Sequence, residues 1–172
     1  LSVTCRVREP LARPTDHACT SCALPLTANG ANSVVSKSVF ERSSTDAVAH
    51  ACAEHREGVW LTPRLVRAYS GLHRAGWAHS VETWRGDVLC GGLFGVAMGA
   101  MFSSETMFHR APDAGNAALV ATAALLARSG FTLWDIQAAS EHTVRFGAVR
   151  VSPAEYRRRL AEALGLPGRR LG

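Results

Sequence analysis

A chain of 172 residues is long enough to bury one substantial core and too short for two full domains. Hydrophobic residues make up 47 % of it, yet no apolar run approaches the roughly 18 residues of a membrane span, which excludes a transmembrane helix. The net charge of +5 is almost wholly arginine, since Lys37 is the only lysine, and seven arginines follow Ser140. A basic surface of this kind attracts polyanions such as nucleic acid through counterion release, although a solvated helix face would carry the same charge without a partner. The opening LSVTCRVREP lacks the apolar core of a secretory signal. The expectation is therefore a cytoplasmic, monomeric protein that makes no membrane contact.

Residues 1–40 read as an irregular segment, with Pro10, Pro14 and Pro25 among scattered Ser, Thr, Asn and Gly. Cys19 and Cys22 stand at C-x-x-C spacing with His17 and Cys5 nearby, but no second such pair completes a structural zinc set. Free thiols and no metal are expected, because five cysteines are an odd number in a cytosolic chain. From Ser44 the texture becomes helical. STDAVAHACAEHREG opens on capping residues and stops at Gly58, and TPRLVRAYSGLHRAG repeats the design. In the second, Thr62 is the expected N-cap and Pro63 the first helical residue. Leu65, Val66, Tyr69 and Leu72 share one face, and Gly76 ends the helix.

The period then shortens to two. AHSVETW, VLCGGLFGVAMG and AMFSSETMF predict a meander of three antiparallel strands, with a turn at RGD. DAGNAALVATAALLARSG predicts a long helix closed by Gly130. FTLWDIQ predicts a strand, EHTVRFG a short helix, AVRVS a strand, and the segment from Pro153 to about Leu164 a last helix. The fold class is mixed α/β: one mostly antiparallel sheet flanked by helices, within a domain spanning 41–172.

FTLWDIQ is the sharpest chemical signal. Strand alternation would place Phe131, Leu133, Asp135 and Gln137 on one face, setting an acid beside an amide at the end of an apolar strand. Such a pair can accept a proton, or orient an amine and polarise a carbonyl. On strand logic alone, Asp135 could instead cap the following loop. Glu105 ends AMFSSE among Met101, Phe102, Met107 and Phe108, which suits a pocket for an apolar group beside an amine; the alternative is an edge-strand charge that discourages aggregation. Gly91, Gly92, Gly95 and Gly99 leave one strand bare, as where a ligand approaches the backbone closely. No G-x-G-x-x-G, G-x-S-x-G or H-E-x-x-H motif is present, and Cys90 reads as packed rather than nucleophilic.

Taken together, ACAEHREGVWLTP, AGWAHSVETW, GGLFGVAMG, SETMFHR, GFTLWDIQ, HTVRFGA and YRRRL, in this order, resemble the leucyl/phenylalanyl-tRNA–protein transferases. The resemblance implies a fold like the acyl-CoA N-acyltransferases, with aminoacyl-tRNA in place of CoA as acyl donor and no further cofactor. It implies transfer of Leu or Phe (or Met) to the α-amine of a protein that begins with Arg or Lys, marking that protein for degradation. It gives Asp135 and Gln137 the task of assisting attack of the amine on the ester. Glu105 would hold the incoming acceptor, and Trp60, Leu93, Phe102 and Met107 would line the pocket for the donor side chain. The glycines would clear backbone for the aminoacyl-adenosine end of the tRNA.

The chain also departs from the family. Residues 1–40 show none of its Trp/Pro-rich N-terminal motifs, so the N-terminal domain is expected to be truncated or diverged. Ser104-Glu105-Thr106 stands where the family reads GES, His109 replaces a serine in MFSR, and Asn116 replaces a lysine. These departures motivate two alternatives: transfer to a small-molecule amine, and an inactive remnant that only binds tRNA. A CoA-dependent acetyltransferase lacks its glycine-rich pyrophosphate loop here.

Overall fold

The computed structural model describes residues 3–5, 37–40, 45–54, 60–169 and 171. Its centre is the expected meander: β3 (Ala78–Arg85), β4 (Val88–Met98) and β5 (Met101–His109), paired antiparallel in sequence order. The turn between β3 and β4 has Gly86 at φ 59°, and that between β4 and β5 has Gly99 at φ 57°, a region that glycine enters without steric cost. The short strand β6 (Leu133–Asp135) then joins β5 in parallel, the one parallel pairing among the described residues.

Two further strands come from the region expected to be irregular. β1 (Val3–Cys5) lies between β6 and the last strand β7 (Ala148–Arg150), and β2 (Lys37–Phe40) pairs with β3. The sheet order is β2-β3-β4-β5-β6-β1-β7. Three or four residues show too few alternations for period two to separate a strand from a loop, so the sequence carried no signal for these pairings. His17, Cys19 and Cys22 lie outside the described residues.

Helices cover both faces. On one, Val48 and Cys52 of α1 (Thr45–Glu54), Val66 of α2 (Pro63–Arg74) and Leu61 just before α2 pack against Phe94 and Phe108. α2 begins as its sequence dictates: the Thr62 hydroxyl accepts the Leu65 N–H at 3.4 Å, with Pro63 following. Its expected apolar face is only half used, because Val66 is buried while Leu65 and Leu72 are each 37 % exposed. α5 (Pro153–Leu164), capped by Ser152, packs lower on this face, where Ala163 meets Met101 and Leu133. On the other face α3 (Ala114–Arg128) covers the largest cluster, in which Ala118, Leu119 and Leu126 meet Val81, Leu93, Phe102, Phe131 and Trp134. The short α4 (Glu141–Arg145), held by a capping box between Ser140 and Thr143, leads into β7.

The glycines of β4 and of the turn after it serve this packing rather than a ligand. A β-carbon on Gly91 would lie 2.8 Å from that of Ala114, the first residue of α3, and one on Gly92 would lie 2.9 Å from the Val81 carbonyl. On Gly95 it would collide with the Ser103 carbonyl and the Phe102 ring, and on Gly99 with the Ala163 carbonyl of α5. The expectation that they bare the strand for a substrate is corrected: the chain itself fills those spaces.

Candidate functional site

The polar residues singled out in the sequence meet where β5 and β6 part. Their ladder lasts three residue pairs, Met101 with Leu133, Phe102 with Trp134 and Ser103 with Asp135, after which β5 runs on to His109. Alternation assigns the faces. Phe102 and Trp134 belong to the cluster under α3, while Met101 and Leu133 belong to the cluster under α5. Ser103 and Asp135 therefore share the α5 face.

Glu105 does not end its strand, and β5 lies inside the sheet between β4 and β6, so an edge-strand role is ruled out. On β4, Phe94 and Gly95 are consecutive, yet they face Thr106 and Ser104 on β5. Glu105 is the extra residue of a β-bulge, a device that re-aims a side chain out of strand alternation. From there its Oε2 accepts the Tyr69 hydroxyl of α2 at 2.9 Å and the Gln137 amide at 3.3 Å, while Ser103 Oγ donates to Oε1 at 3.5 Å. Tyr69 also meets the Phe94 ring edge-on at 4.9 Å. Burial, followed by the hydrogen bond to Glu105, pushes its phenol well above the usual tyrosine range, so it remains a donor.

Strand alternation fails at the other end of the site. β6 stops at Asp135, and Gln137 has φ 63°, outside any strand conformation. Asp135 itself causes the break: its Oδ1 accepts the Gln137 backbone N–H at 2.8 Å, two residues on, which turns the chain. Asp135 thus caps the loop, as strand logic allowed, while its Oδ2 accepts the Tyr156 hydroxyl at 2.7 Å. The turn swings the Gln137 amide back to β5, where it donates to the Ser104 carbonyl at 3.0 Å as well as to Glu105. Phe131, expected on the same face as Asp135, instead packs under α3 beside Phe102, with ring centroids 6.3 Å apart.

One hydrogen-bonded series thereby runs from Tyr69 through Glu105, Gln137 and Asp135 to Tyr156. Asp135 is 6 % exposed and Glu105 half-buried, so their carboxylates rely on these donors where water is scarce. Sequence reading missed both tyrosines. Tyr69 looked like part of an apolar helix face, and Tyr156 stands 21 residues from Asp135 with no periodicity to connect them.

The apolar candidates separate from this series. Leu93 and Phe102, 1 % and 0 % exposed, lie in the α3-side cluster, and Met107 packs against it. Trp60 stands before α2 and is 41 % exposed. Ser104 joins the two regions: its carbonyl accepts the Gln137 amide, and its hydroxyl accepts the Trp134 indole N–H at 2.8 Å. Ser104→Ala should therefore strand a buried donor and destabilise the fold by about 1–3 kcal/mol, read as a lower denaturant midpoint. Adding Trp134→Phe, which removes the orphaned N–H, should cost less than the two single changes summed.

Fold and site together define an α/β domain with a mostly antiparallel sheet, whose acid and amide groups converge beside one parallel strand pair. Residues 33–161 match the family described as leucyl/phenylalanyl-tRNA protein transferase, and the chain belongs to that family. Relatives carrying that name include one from Anaeromyxobacter sp. strain K, 46 % identical over 142 residues, which cover 80 % of this chain and 59 % of the relative. Another, from Rubrobacter xylanophilus, is 46 % identical over 137 residues (77 % and 71 %), and one from Caulobacter vibrioides is 46 % identical over 126 residues (72 % and 58 %). The chain thus spans 59 % of the length of the first of these relatives. The family match starts at residue 33, ahead of the expected boundary at 40, and takes in β2.

Proposed function

We propose that the chain transfers Leu or Phe from aminoacyl-tRNA to the N-terminal α-amine of proteins that begin with Arg or Lys. The observation that carries this reading is the convergence of Glu105, Gln137 and Asp135 in one hydrogen-bonded series, in a chain of this family. An aminoacyl ester is already activated, so the reaction needs positioning and proton handling rather than a covalent nucleophile or a cofactor. The acceptor enters as an ammonium group and gives one proton to Asp135. Its nitrogen lone pair attacks the ester carbonyl carbon, the C–N bond forms, and the C–O bond to the ribose breaks. The second proton leaves with the ribose oxygen, and Asp135 returns the first to solvent. Gln137 orients the amine, and Glu105 attracts the cationic acceptor end.

Trp60 and Met107, the two apolar candidates that keep exposed surface, remain proposed for the donor side chain, whereas Leu93 and Phe102 are closed off under α3. Incubation with labelled Leu-tRNA and acceptors starting with Arg, Lys or Met tests the reading: label should pass to the Arg and Lys acceptors. Label that passes only to free amines would favour a small-molecule acceptor, and tRNA binding without any transfer would leave a remnant.

The basic surface supports tRNA as donor, and the geometry narrows which arginines are available. Arg158 pairs with Glu155 and Glu162, and Arg159 with Glu155, all within α5. Those partners hold the Glu155 carboxyl down at about 2, so it is ionised at neutral pH and available to both arginines. Arg157 is exposed on the same helix. Arg157→Gln should weaken tRNA binding and flatten its logarithmic salt dependence by about 0.7–0.9, the contribution of one phosphate contact. An unchanged slope would remove Arg157 from the tRNA surface.

A further inference from the structure

We propose that Tyr156 is a positioning residue for the reaction: from α5 it fixes the Asp135 carboxylate in the orientation that receives the amine proton. The inference rests on the transferase reading and adds a residue to it. Asp135 is 6 % exposed, and its two oxygens are divided between two donors. Oδ1 takes the Gln137 backbone N–H at 2.8 Å, and Oδ2 takes the Tyr156 hydroxyl at 2.7 Å. A hydroxyl-to-carboxylate bond this short is charge-assisted and directional. With the first bond alone, the carboxyl plane could rotate about its Cβ–Cγ axis. The second bond stops that rotation and leaves the remaining lone pairs aimed in fixed directions.

The donor itself is held firmly. The Tyr156 ring packs beside Leu160 on the cluster of Met101, Leu133 and Ala163. The start of α5 is set by Ser152, whose hydroxyl accepts the Glu155 N–H at 3.2 Å, and by Pro153. At its last turn and just past it the chain is fastened to the β4–β5 turn: Ala100 N–H donates to the Ala163 carbonyl at 2.8 Å, and Arg169 N–H donates to that of Gly99 at 2.8 Å. Gly99 can sit this close only because it lacks a side chain, since a β-carbon there would stand 2.5 Å from the Ala163 carbonyl. Burial and the bond to Asp135 push the Tyr156 phenol up to about 12, so it remains a proton donor wherever Asp135 is ionised.

A residue that acts through Asp135 loses its effect once Asp135 is gone, and a double-mutant cycle reads that dependence. With labelled Leu-tRNA and an acceptor that starts with Arg, Tyr156→Phe should lower kcat by roughly 10-fold with KM for both substrates nearly unchanged. Tyr156→Phe combined with Asp135→Ala should be no slower than Asp135→Ala alone. Rates are taken well below the melting point of every variant, so a purely structural role would leave kcat intact. Losses that multiply in the double variant, a wild-type rate in Tyr156→Phe, or an effect confined to KM would overturn the role of Tyr156 while leaving the transferase reading in place. A wild type that transfers nothing to any acceptor would overturn both.

Discussion

Asp135→Ala should slow aminoacyl transfer by about 10²-fold or more, the scale of a positioned group that handles a proton in the transition state. The geometry sharpens this through a second variant. In Asp135→Asn the amide oxygen can still accept the Gln137 N–H, and its NH₂ can donate to the Tyr156 oxygen, so the loop and α5 keep their places. What asparagine lacks is the capacity to take a proton at neutral pH. Asp135→Asn should therefore fold like the wild type yet be about as slow as alanine. Single-turnover rates with pre-formed Leu-tRNA measure the chemical step directly. An asparagine variant near the wild-type rate would make the carboxylate a structural cap only.

The largest effect on stability is expected at Gly95. It lies beside the bulge that carries Glu105, and a β-carbon there would collide with the Ser103 carbonyl and come within 2.7 Å of the Phe102 ring. Neither neighbour is the free end of a flexible chain: one is backbone, and the other is a fully buried ring. Gly95→Ala should cost about 3 kcal/mol, the upper end of core overpacking and a large share of the roughly 5–15 kcal/mol that holds a domain folded. Gly71 provides the opposite case. It sits inside α2, where a β-carbon would meet nothing within 4 Å, so Gly71→Ala should stabilise by about 0.5–1 kcal/mol through helix propensity. Denaturant midpoints with unchanged slopes would check both signs.

What the sequence made legible follows from the range of each interaction. The cap of α2 was readable because Thr62-Pro63 acts within three or four residues of itself, and the start of α5 was readable at Pro153. The meander was readable because period two persists through strands of eight, eleven and nine residues. Asp135 and Glu105 stood out as acids among apolar neighbours, and both lie in the polar series. Their geometry was not readable. The bulge at Glu105 is a mismatch between two strands and belongs to neither sequence alone. The break at Gln137 arises because Asp135 captures a backbone N–H that a continuing strand would have used elsewhere. The glycines of β4 and of the turn after it gave the correct signal, a close approach to backbone, but only the fold identifies the approaching groups as Ala114, Phe102 and α5. Tyr69 and Tyr156 come from helices whose placement over the sheet depends on the whole chain.

The most direct measurement is the site of modification on an acceptor peptide starting with Arg, incubated with Leu-tRNA and the purified chain and sequenced by mass spectrometry. A single leucyl residue is expected on the α-amine, none when that amine is acetylated beforehand, and almost none with Asp135→Ala. Leucine on a side-chain amine, undiminished transfer to the acetylated peptide, or no addition despite tRNA binding would contradict the proposed reaction.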